Sequence, residues 1–173
     1  MPAYLSNRQK LLENLKDVET VAVALGIPYF DIYIMGGAAV ILGGYSNRLT
    51  RDFDIVDIDY PSQIGRALRN LETYDMLDYS ETPLSPSFRN RCRRLDQYQS
   101  IGVYIFSPED IVVSKIIRLS EKDIEDINIL IPDCDIFKIN TIIDEVVQRK
   151  DLSLPKRSEF LRKIEIFRST FNV

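Results

Sequence analysis

A chain of 173 residues suffices for one ordinary domain with a real core, or for a core with a helical appendage, and is too short for two large domains. Its 45% apolar and 28% charged content is that of a folded globular protein, and a net charge of −4 argues against a protein that coats nucleic acid through its overall field. Histidine is absent, which excludes imidazole general bases, Ser/His/Asp and Cys/His nucleophile systems and histidine-based zinc sites.

The opening MPAYLSNRQK lacks the apolar run of a signal peptide, and no segment reaches about 18 uninterrupted apolar residues, so the expected location is the cytoplasm, with no membrane partner. Leu11, Leu15, Val18, Ala22 and Leu25 recur at four- and three-residue spacing and predict an amphipathic helix over residues 6–25, with Ser6 or Asn7 as N-cap. Gly26, Ile27 and Pro28 end it, and residues 30–35, polar only at Asp31, read as a largely buried strand. Gly36 and Gly37 follow, then a short apolar helix from Ala38 to Leu42 closed by Gly43 and Gly44. A loop carrying Arg48, Thr50 and Arg51 leads into a strand over residues 52–59, and Ile64, Ala67, Leu68 and Leu71 give the next helix its apolar face.

Residues 73–87, polar and interrupted by Pro83 and Pro86, read as an irregular surface loop. The segment that follows holds Arg89, Arg91, Arg93 and Arg94, and residues 101–106 read as the third strand. Ser107, Pro108 and Glu109 are a strong helix start for residues 107–119, and a second helix spans about 121–131 before Pro132. Two further helices, near residues 136–148 and 155–171, form a helical tail. Cys92 and Cys134 make no CxxC pair and read as structural thiols, a single disulfide between them being the alternative.

Three groups of residues can carry chemistry. A strand feeding Gly36 and Gly37 into a helix N-terminus lets backbone N–H groups approach a phosphate with no Cβ in the way, although such pairs are also simple tight turns. The spacing is neither GxGxxG nor GxxxxGK[ST]. Asp52 and Asp54 point the same way from one strand and suit a divalent cation; the alternative is an exposed strand end paired with Arg48 or Arg51. At helical spacing Lys115 falls between Ile111 and Leu119, Asp123 falls inside the next helix's apolar stripe and Asp126 at its edge. These either tie the two helices together as Lys115–Asp123 or Arg118–Asp126 pairs, or serve a triphosphate. The four arginines read as a solvated basic segment before a nucleic-acid patch.

Taken in order, GGAAVILGG, NRLTRDFDIVD and SPEDIVVSKIIRLSEKDIEDI resemble the nucleotidyltransferase superfamily related to DNA polymerase β. More narrowly, they look like small bacterial and archaeal families of uncharacterised nucleotidyltransferases close to the toxins of abortive-infection and toxin–antitoxin systems. The similarity covers about residues 33–131. It implies an α/β (α+β) fold: a small mixed sheet flanked by helices over residues 1–131, with a C-terminal helical extension over 132–173 packed on it as one domain. It further implies that Gly36 and Gly37 cradle phosphates, that Asp52 and Asp54 hold Mg²⁺ or Mn²⁺, and that Arg48 and Thr50 line the entrance. Lys115, Asp123 and Asp126 match the downstream motif.

The implied activity is transfer of a nucleotide from a nucleoside triphosphate to an RNA, protein or small-molecule acceptor, toxin-like in character. The alternative is a catalytically weak nucleotide-binding module or toxin–antitoxin component held by a cognate partner. The superfamily often adds a third acidic residue on a later strand, and residues 101–106 contain none.

Overall fold

The alternation and capping signals of the sequence resolve, in a computed structural model that describes residues 6–50 and 52–173, into a mixed α/β arrangement. In chain order the elements are α1 (Asn7–Ala24), β1 (Asp31–Met35), α2 (Gly36–Leu42), β2 (Asp52–Asp57), α3 (Ile64–Leu68), β3 (Thr73–Asp78), β4 (Arg93–Arg94), β5 (Gly102–Ile105), α4 (Pro108–Lys115), α5 (Glu121–Leu130), α6 (Ile136–Gln148) and α7 (Leu154–Phe171). The strands form one sheet in the order β3-β2-β1-β5-β4. Three strands are expected from the sequence and five form: residues 73–87 begin with a strand rather than a loop, and Arg93–Arg94 add a short rung beside β5. No helix among the described residues is long and apolar enough to cross a membrane.

Two compact units divide the chain, one comprising Met1–Met76 with Arg93–Ile105 and the other Leu77–Cys92 with Phe106–Val173. In the first, α1 starts in a full capping box, Ser6 accepting from the Gln9 N–H and Gln9 answering to the Ser6 N–H. The helix buries Leu11, Leu15, Val18 and Ala22 and packs on α2 and α3. Its Glu19 carboxylate accepts the N–H groups of Gln99 and Ser100, fixing the turn before β5. β1 runs antiparallel to β2 and parallel to β5. Ile34 lies opposite both Ile55 and Ile105, and Ile32 opposite Val103, so one sheet face is solid aliphatic. Residues one step out of that phase turn to the other face, and there Met35 is paired with Asp54.

In the second unit, α4 packs on α5 and α6. The buried Arg149 after α6 donates to the carbonyls of Tyr79, Thr82 and Leu84 and lies 3.6 Å from the Tyr79 ring centroid, so a single guanidinium holds the turn after β3. Arg91 grips Asp110 at the start of α4 with two bonds of 2.7 and 2.9 Å. Ser85 and Ser87 donate to Glu145 on α6. Cys92 and Cys134 are free thiols, and burial pushes both up to about 12.

Candidate functional site

The first unit gathers five of the residues singled out by the sequence. Gly36 opens α2 with φ +67, in the left-handed region that a side chain disfavours, and a Cβ there would collide with Asp54 Oδ2. A Cβ on Gly37 would sit 2.7 Å from Arg48 Nη2 and 3.6 Å from Thr50 Oγ1. The glycine pair, Asp54, Arg48 and Thr50 therefore press together at the end of β1 because neither glycine has a side chain. Arg51 lies outside the described residues.

Along β2 the aspartate face sinks from solvent to core, with Asp52 exposed, Asp54 half-buried and Val56 buried, while Phe53 and Ile55 fill the opposite face. This places two carboxylates in the first half of a strand anchored in apolar packing through Phe53, Ile55 and Val56.

β3 supplies what the sequence reading missed. Thr73 Oγ1 donates to Asp52 Oδ1 at 2.5 Å, so the side chains of Thr73 and, two residues on, Asp75 lie on the face that carries the aspartates of β2. A cavity of about 530 Å³ opens beside them, lined by Asp52, Arg69, Glu72, Thr73, Tyr74 and Asp75. An acidic residue on a strand next to β2 is thus present after all, on Thr73–Asp78 rather than on the strand over residues 101–106. The signal was available in the alternation of Tyr74 and Met76 with Thr73 and Asp75.

The second unit holds the downstream motif as an ion-pair cluster. Lys115, Asp123 and Asp126 are 7%, 0% and 0% exposed; helical spacing puts Lys115 and Asp123 inward, whereas Asp126, expected at the edge of the stripe, is as buried as Asp123. Lys115 Nζ lies 2.8 Å from Asp126 Oδ2 and 3.4 Å from Asp123 Oδ1, and Arg118 meets both oxygens of Asp123 at 2.6 and 2.7 Å. Asp123 also completes a capping box with Ser120 at the start of α5. Burial on its own would raise the Asp123 carboxyl, but the hydrogen bonds from Arg118 and Ser120 and the charge of Lys115 hold it well below the usual carboxylate range.

The four arginines separate: Arg91 is consumed by Asp110, Arg89 lies 5.8 Å from the Phe88 ring centroid, and Arg93 and Arg94 are exposed on β4. Among the described residues no group of three or more acidic or cysteine side chains converges closely enough to hold a metal ion unaided. Asp54, against Gly36, and Asp52, two residues before it on β2, are nonetheless the donor type that suits a divalent cation such as Mg²⁺, which is commonly bound through one or two carboxylates with substrate phosphates completing the shell.

Residues 10–169 match the family described as "Nucleotidyltransferase of unknown function (DUF6036)". No curated protein matches the chain, and no solved structure does.

Proposed function

The chain belongs to the DUF6036 family of nucleotidyltransferases, and from that premise we propose that it transfers a nucleotide from a nucleoside triphosphate to an acceptor hydroxyl in a divalent-cation-dependent reaction. The observation that supports the reading is the packing of Asp54 on Gly36 and of Arg48 on Gly37, which brings a carboxylate and a guanidinium against the glycine pair at the start of α2.

In this reading Gly36 and Gly37 give the triphosphate access to backbone N–H groups, and Arg48 and Thr50 border it. Asp52 and Asp54 would hold Mg²⁺ or Mn²⁺, which when bound would neutralise charge on the attacking and leaving oxygens. Asp75, on the cavity side of Asp52, accepts the proton of the acceptor hydroxyl. The acceptor oxygen then bonds to the α-phosphorus in line with the bridging oxygen, that bond breaks, and pyrophosphate leaves. Lys115 with Asp123 and Asp126 is assigned the companion role of the downstream motif, the ammonium held ready between two carboxylates.

Incubation with labelled nucleoside triphosphates, Mg²⁺ and a cell extract tests this. The unsubstituted chain should incorporate label, and Asp52→Ala or Asp54→Ala should abolish incorporation; an unsubstituted chain that incorporates none in the presence of any of the four triphosphates sinks the proposal.

A further inference from the structure

The hydrogen bond between β3 and the first residue of β2 assigns a job to a residue outside the implied motif. We propose that Thr73 is a positioning residue that sets the Asp52 carboxylate for cation binding, an inference that rests on Asp52 being a cation ligand. Asp52 is exposed at the very start of its strand, where an aspartate would otherwise sample several side-chain rotamers. An ionised carboxylate only accepts, so the Thr73 hydroxyl is the donor, and its 2.5 Å contact with Oδ1 is the short kind that a charged acceptor makes. Thr73 is itself stiff, being β-branched and set on a strand hydrogen-bonded to β2. The bond therefore transmits the geometry of the sheet to a side chain that packing does not fix. It engages Oδ1 and so narrows the rotamers open to the carboxylate.

Partners that orient a metal-binding group from outside commonly matter about as much as 10–100-fold in affinity. The test is Mn²⁺ titration of the full chain without nucleotide, followed by electron paramagnetic resonance or calorimetry. Thr73→Val keeps the shape and strand preference of threonine and removes the donor; Thr73→Ser keeps the donor. T73V should bind Mn²⁺ about tenfold more weakly or worse, T73S should bind as the unsubstituted chain does, and thermal unfolding should show all three folded. The activity of T73V should recover at high cation concentration, shifting the cation dependence rather than the maximal rate. The proposal is overturned if T73V binds Mn²⁺ as tightly as the unsubstituted chain, or if T73S binds as weakly as T73V. D52N separates the two levels of inference: weak binding in D52N with normal binding in T73V removes only the role of Thr73, whereas normal binding in D52N removes the cation-ligand reading of Asp52 as well.

Discussion

Lys115 is buried to 7% exposure with two carboxylates against it, and each of the three charges depends on the others. Desolvating such a group costs more than a surface pair returns, and removing one partner of a buried pair typically costs about 3–5 kcal/mol because an uncompensated charge stays behind. Lys115→Met should therefore lower the unfolding free energy by about 3 kcal/mol in urea titration, and adding Asp126→Asn should restore much of that loss. The double variant also discriminates between roles. A purely structural Lys115 predicts that nucleotide incorporation returns with stability, whereas a lysine that touches the triphosphate predicts a stable protein that stays inactive. The inward direction of Lys115 and Asp123 was legible from 100° spacing alone, because helix geometry fixes which way a Cβ points; Asp126, placed by the same spacing at the edge of the stripe, is fully buried. The sharing of Asp123 between Lys115 and Arg118 was not, since it depends on side-chain rotamers and on the angle between α4 and α5.

Helices announced themselves through caps, and β3 did not. Ser6, Ser107 and Ser120 each stand at a helix start with the side chain accepting from the third helical residue, a local pattern that needs no knowledge of the fold. β3 is an edge strand whose residues range only from half-buried to exposed, so the contrast between its faces is weak and the polar stretch up to Pro86 outweighed it. That one misreading also hid Thr73 and Asp75, the β3 residues to which roles are proposed above, because a candidate on an edge strand is visible only once the strand is recognised. The capping argument makes a prediction at the same scale. Ser120→Ala removes the acceptor for the Asp123 N–H and a donor to the Asp123 carboxylate, so it should cost about 1–2 kcal/mol of unfolding free energy. Ser6→Ala, at an exposed cap without a buried ion pair, should cost less, and equal losses in the two variants would show that the α5 box adds nothing to the ion-pair cluster.

At the scale of the whole molecule, the absence of histidine leaves no side chain with an ordinary pKa between pH 5 and 8, and the raised thiols of Cys92 and Cys134 stay protonated there. Carboxylates then decide how stability follows pH. Burial works to raise Glu19 in the first unit and Glu145 and Asp123 in the second, yet in each case bonds prevail and hold the group below its ordinary value. For Glu19 these come from Lys16 and the N–H groups of Ser100 and Gln99; for Glu145 from Ser85 and Ser87; for Asp123 from Arg118 and Ser120. A carboxyl lowered on folding binds protons more readily in the unfolded chain, so its stabilising contribution is complete above the unfolded pKa, about 4.3 for Glu and about 3.9 for Asp, and is lost as pH falls through the folded value. The unfolding midpoint should accordingly be level from pH 6 to 8 and decline below about pH 4.5, with the loss continuing past pH 3 because Asp123 is held well below the usual carboxylate range. Each 1 kcal/mol lost moves the midpoint of a chain this size by about 2–4 °C, which calorimetry resolves. Asp123→Asn removes a group held well below the usual carboxylate range and should flatten the decline below pH 3 while lowering the midpoint at pH 7. A variant whose acid decline matches that of the unsubstituted chain would move the acid sensitivity away from the α4–α5 cluster, to the other lowered carboxyls, Glu19, Asp78, Glu145 and Asp151.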